Sequence, residues 1–440
     1  MQQLPFKKIV NRTVDWSDQP LSSSNSTVAD LTLKFEFGGQ DKVGPVAAML
    51  HVVPGKALTG ELTEQTLSID ISPAQLSGAV ADCQAAWWKH VIERRRISVS
   101  LSRQPYYYYH FHQKSESPVT VSEFNADILP QLTDEGHKLF TVIFRPGGTR
   151  YADTKKFGGR LRDVLQQKQD LRILINSEKF LAPWNFLYLG DNNSPPNTEN
   201  FLGIRHLVEH DLEDAPLVDT EMAAPSRLSI QVDENIDVND TTRRYGAIAS
   251  FVKLLADRRI GKKDRNTKAE FLSALKSGAE ESIFYFLCHG ESGDDVKANF
   301  DNTTLYLTQR QSDQKEGITP SDIKASLDRT GPLKGRPLVF INSCRALKTG
   351  SIFYFGFASP FLHNDARAVV GSEIEMPVVF AKDFSKRFFE EFFRGGVDRS
   401  VGKVLLSLRR EYLREHVNPL GLAYSLYRGG TLHLPVGVLP

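Results

Sequence analysis

Apolar and polar positions alternate at a two-residue period in three early segments of the chain. In LTLKFEF, Leu31, Leu33, Phe35 and Phe37 fall on one face, as on a strand. Leu67, Ile69 and Ile71 repeat the pattern, and so do Ile97, Val99 and Leu101. Between the last two, Ser72 can cap a helix and Pro73 suits its first turn, which predicts a helix running to about Arg96. These signals describe a small α+β N-terminal unit over residues 1–121.

From Ser122 the rhythm changes. A helix-like stretch, Asn125–Lys138, leads into LFTVIF; a second helix is expected near Phe157–Gln169, followed by the strand LRILINS. The segments 190–200 and 213–226 are polar and Pro-containing and read as loops. After Arg227 strands and helices alternate: RLSIQVD, a helix over 240–257, the helical AEFLSALKSG, then SIFYFLCHG. TTLYLT suggests a hairpin piece, and Thr319, Pro320 and Asp322 in ITPSDIKASL form a helix start. PLVFINSC and ARAVVGS are further apolar strands; helices over 378–394 and 400–416 precede LAYSLY. Near-continuous apolar strands separated by helices point to an α/β protein whose parallel sheet is covered on both faces.

Composition narrows the classes. A chain of 440 residues has room for two or three domains. Its 54 Lys+Arg nearly cancel 53 Asp+Glu, so overall charge argues for neither nucleic acid nor an anionic membrane as partner. Val43–Val53, the longest weakly polar stretch, is too short to span a bilayer, and the first residues open no apolar leader. Three cysteines, Cys83, Cys288 and Cys344, form no disulfide framework and suit a reducing cytoplasm. No Gly-x-Gly-x-x-Gly or Walker sequence follows a strand, which ranks a nucleotide-binding module last, and no cofactor is expected. In PYYYYHFHQ, His110 and His112 could reach a metal from one strand face; without a third ligand nearby, an aromatic edge strand is the favoured reading and no metal is expected.

The candidate chemistry lies at two strand ends. Loops at the carboxyl ends of parallel strands gather along one edge, where ligands bind. SIFYFLCHG brings His289 and Gly290 there, and PLVFINSC brings Cys344. If these strands are neighbours, an imidazole meets a thiol. Cys288 is the rival nucleophile, but consecutive strand side chains point to opposite faces, which assigns Cys288 to the core with Phe284 and Phe286. A thiolate is the competent nucleophile, an imidazole within reach generates it, and the oxyanion needs backbone donors such as those of Gly290 and Cys344. Glu291, Asp294 and Asp295 could orient His289, although an exposed acidic loop is the favoured role.

FYFLCHG and LVFINSCRA resemble the His-Gly and Cys motifs of caspase-like (clan CD) cysteine peptidases, in particular the CHAT domain family, related to separase and caspases. LRILINSEKFLAPWNFLYLG, GFASPFLHNDARAVVGSEIEMP and the two closing helical segments are similar to further parts of that family. The likeness covers roughly residues 122–440, with 122–222 resembling its amino-terminal half and 223–440 its catalytic core. It departs at Pro-Trp-Asn around Trp184, where the family has Pro-Trp-Glu, and at GSEIEMP, which lacks a common Leu-Trp.

The resemblance implies a caspase-like, mostly parallel sheet with helices on both faces, preceded by the smaller α+β domain. It implies His289 as base, Cys344 as nucleophile and Gly290 as oxyanion support. Arg345, Asp365, Glu373 and Glu375 are candidates for the substrate pocket, with charges of both signs and no readable preference. The expected partners are a protein substrate and an activating protein or complex, in bacterial antiviral defence or regulated cell death, with residues 1–121 as a docking site. The alternative is a catalytically silent scaffold of the same fold that binds protein partners.

Overall fold

The computed structural model describes residues 29–37, 46–71, 73–99, 105–145, 152–177, 182–191, 193–212, 219–225, 227–233, 246–292, 303–307, 317–344 and 350–439. Its strands are β1 (Leu31–Phe37), β2 (Val46–Pro54), β3 (Gln65–Ile71), β4 (Arg95–Val99), β5 (Pro105–Tyr109), β6 (Arg172–Asn176), β7 (Leu207–Asp211), β8 (Arg227–Val232), β9 (Gly261–Asp264), β10 (Ile283–Ser292), β11 (Thr303–Tyr306), β12 (Gly317–Ile318), β13 (Leu338–Cys344), β14 (Ala368–Ser372) and β15 (Tyr424–Tyr427).

Thirteen of these form one mixed sheet, and β4 pairs with β5 apart from it. β9, β8, β10, β13 and β14 run parallel in that order. β15 joins β14 antiparallel and starts a second parallel block, β15–β7–β6–β1, closed by antiparallel β2 and β3. The two blocks therefore point in opposite directions, and the fold is α/β with a mostly parallel core, as the apolar runs predict. Parallel pairing of Leu31–Lys34 with Ile173–Asn176 makes the early strands part of this same sheet.

Strand alternation decides what covers each face. Ile283, Tyr285 and Leu287 of β10 join Leu338 and Phe340 of β13 in a core with the helices Val378–Phe392 and Val401–Arg414. Phe284, Phe286 and Cys288 face the other way, with Val339 and Ile341, under the helices Lys268–Lys276, Pro320–Leu327 and Gly350–Leu362. Helices thus pack on both faces. Trp184 is buried in the first of these cores, against Phe35 at 5.6 Å and Phe144 at 6.2 Å.

Some expectations shift locally. The helix from Pro73 keeps α geometry only to Trp87, widens over Trp88–Ile92, and gives way at Arg95 because β4 pairs with β5. β5 ends at Tyr109, and His110–Gln113 is one helical turn, so His110 and His112 share no strand face. His110 Nδ1 instead lies 3.1 Å from the Pro118 carbonyl. Among the described residues no group of three or more His, Cys, Asp or Glu could hold a metal ion, and no helix is long and apolar enough to cross a membrane.

Candidate active site at the carboxyl edge of the central strands

β10 and β13 are adjacent and parallel from Ile283↔Leu338 to His289↔Cys344. An uninterrupted register thus carries His289 and Cys344 to the same level at the carboxyl edge. The positions reach it because Ile283–Cys288 and Leu338–Ile341 are buried apolar runs suited to a sheet covered on both sides, and polarity begins only toward the carboxyl ends, at His289 and Asn342. The His289 side chain keeps 15% of its surface exposed, whereas Cys288 is fully buried.

β10 changes neighbours at this level. On the side away from β13 it pairs with β8 through Phe284–Leu287 and with β11 through His289–Ser292. Asp233, the residue after β8, occupies the changeover. Its backbone N–H donates to the Leu287 carbonyl at 2.9 Å. Its carboxylate is fully buried, with Oδ2 3.3 Å from His289 Nε2. Sequence reasoning missed this acid while weighing Glu291, Asp294 and Asp295. The available signal was an acid closing an apolar strand, RLSIQVD, in the way His289 closes its own. Glu291 lies on β10 opposite Thr304; Asp294 and Asp295 lie outside the described residues.

The base of the edge is a buried polar network. Asn342, two positions before Cys344, donates through Nδ2 to the Ala381 carbonyl at 2.7 Å and accepts from the Tyr424 hydroxyl at 2.6 Å. The Tyr424 carbonyl accepts from Arg409 at 2.6 Å and from Asn185 Nδ2 at 3.1 Å. The Tyr424 ring stacks on Phe384 at 4.1 Å. The strand that ends in Cys344 is thereby fastened to a closing helix, to β15 and to the segment around Trp184.

The remaining sequence candidates separate. Gly290 is buried on β10 opposite Leu305. Arg345 lies outside the described residues. Asp365, at φ 66°, sits in the turn that leads into the start of β14, at the opposite edge of the sheet from His289. Its charge is thus a strand length from the imidazole. Glu375 is half-buried just beyond β14. Glu373 follows β14 directly, is 1% exposed, and receives the Tyr427 hydroxyl at 3.3 Å. Burial pushes its carboxyl up to about 8, against the downward pull of hydrogen bonds from Ser425 and Tyr427. Its Oε2 has no hydrogen-bond partner among the described residues. A cavity of about 1100 Å³ runs along the helix Val401–Arg414 and includes neither His289 nor Asp233; the chemistry at the strand tips outweighs its size.

Comparison with known proteins gives distant likenesses. No family model matches the chain. A protein described as a probable protease, from Vitiosangium sp. (strain GDMCC 1.1324), is 28% identical over 158 residues, which cover 34% of this chain and 19% of that protein. The chain therefore spans about a fifth of that relative's length. Among solved structures, two of the Saccharomyces cerevisiae separase–securin complex align with it. One has a TM-score of 0.43 at 10% identity, covering 92% of this chain and 30% of the other. The second has a TM-score of 0.34 at 11% identity, covering 83% and 23%.

Proposed function

We propose that the chain is a cysteine endopeptidase that uses His289 and Cys344 to cleave a partner protein. The observation that carries this reading is the register of β10 on β13, with His289 opposite Cys344 at the edge where parallel sheets bind ligands. The distant relative described as a probable protease supports the same class. Residues Arg345, Glu373 and Glu375 remain pocket candidates, and the CHAT-like motifs suggest activation by an accessory component in bacterial defence or regulated cell death.

In the proposed reaction, the His289 imidazole takes the thiol proton of Cys344 and the thiolate attacks the scissile carbonyl carbon. The oxyanion accepts hydrogen bonds from the backbone N–H groups of Cys344 and Gly290. The imidazolium then protonates the leaving amine as the C–N bond breaks, leaving a thioester. Water, deprotonated by the same imidazole, hydrolyses the thioester and returns the thiol.

Incubation of the full chain with a peptide carrying a thiol-directed electrophile, followed by intact and peptide mass measurement, tests the assignment. Labelling is expected at Cys344 and lost in His289→Ala. Cys83 and Cys288 are fully buried, and burial pushes the Cys83 thiol far up, so neither should compete. Labelling confined to Cys83, or equally fast labelling of Cys344 without His289, would favour the silent scaffold.

A further inference from the structure

We infer that Asp233 is a positioning residue that holds His289 in the orientation and protonation state its chemistry requires; the inference rests on the proposed dyad. A buried carboxylate is costly unless a positive or hydrogen-bonding group faces it. Asp233 is 0% exposed at its side chain, and the imidazole stands 3.3 Å away. The acid is also fixed to the strand it serves, because its own N–H donates to the carbonyl of Leu287, two residues before His289. Carboxylate and imidazole are thus referenced to one backbone, and small movements of β10 carry both.

The atom that faces the acid determines the division of labour. Nε2 is turned to Asp233, which leaves Nδ1 as the ring nitrogen for proton exchange with the Cys344 thiol. A neutral ring that carries its proton on Nε2, the nitrogen 3.3 Å from Asp233 Oδ2, presents a lone pair at Nδ1. When Nδ1 takes the thiol proton, the new imidazolium lies against a buried anion and the thiolate–imidazolium pair is favoured. No proton passes to Asp233. The acid acts at the changeover from β8 to β11, where His289 has lost one flanking strand and gained another.

The test is the rate at which iodoacetamide alkylates Cys344 in the folded full chain at pH 7, read by intact mass, with Cys344→Ala as the blank. Asp233→Asn, which keeps the side-chain volume, should slow alkylation about tenfold to a hundredfold relative to wild type. The decisive readout is the double variant. Asp233→Asn combined with His289→Ala should react no more slowly than His289→Ala alone, since the acid works only through the imidazole. A merely structural acid would give additive losses, and that result, or a wild-type rate in folded Asp233→Asn, overturns the inference. If the Asn variant does not fold, Asp233→Glu carries the same test: a rate between wild type and His289→Ala supports the role, and a wild-type rate removes it. The dyad fails separately, when wild-type Cys344 reacts no faster than it does in His289→Ala.

Discussion

A carboxyl group with almost no exposed surface, as at Glu373, loses the hydration that keeps such groups ionised at neutral pH. Its unfolded value of 4.5 becomes about 8 in the fold. Between those values the folded state binds more protons than the unfolded one, so this group's contribution is complete below about 4.5 and declines as pH rises toward 8. The slope approaches about 1.4 kcal/mol per pH unit within that window. Glu373→Gln should therefore flatten the decline, with urea midpoints from pH 5 to 8.5 falling less steeply than in wild type. Parallel profiles for the two proteins would exclude Glu373 as the cause. In the sequence, GSEIEMP offered only an acid near a strand end, because neither its burial nor the partners that oppose the shift, Ser425 and Tyr427 far along the chain, show in a local pattern. The same limit hid Asp233. By contrast, the opposite facing of Cys288 and His289 was legible, since it needs only the local period of two.

Local chemistry also explains which elements could be read. Thr319 accepts from the Asp322 backbone N–H, and the Asp322 carboxylate accepts from the Thr319 N–H at 2.9 Å, so the expected start of Pro320–Leu327 forms as a capping box. Thr319→Ala should cost about 1 kcal/mol, measured as a lower denaturant midpoint at unchanged slope. No change would mean that packing alone holds this turn. β7 and β9 gave no such signal. LVEHD carries Glu209 and His210 into the core, where Arg172 Nε meets the carboxylate at 2.9 Å and Tyr427 packs on the imidazole at 4.9 Å. Those partners are invisible to a hydropathy reading. GKKD is exposed throughout and, among the described residues, pairs along one side only, so its lysines suit a sheet edge and mask a strand.

Across the whole molecule, the first 121 residues contribute strands and core as well as any docking surface. β1 pairs with β6, Phe35 packs on Trp184, and Trp87 stacks on Phe186 at 4.1 Å. Gln84 Nε2 donates to the carbonyl of Glu373, just beyond β14 and beside the proposed catalytic edge. Alternation in the early segments disclosed strands and a helix but not their destination, because pairing partners more than a hundred residues away leave no trace in a local period. Cutting the chain before residue 122 would leave the β6 edge unpaired and uncover Trp184, Phe186 and their neighbours. A chain starting there should be insoluble, or melt at least about 10 °C lower and bind an apolar dye. Both effects should be larger than those of Gln84→Ala, which removes one hydrogen bond worth about 1 kcal/mol. A truncated chain that stays soluble and melts with the full one would show that the early strands are an appendage, and would return residues 1–121 to the role of a separable docking unit.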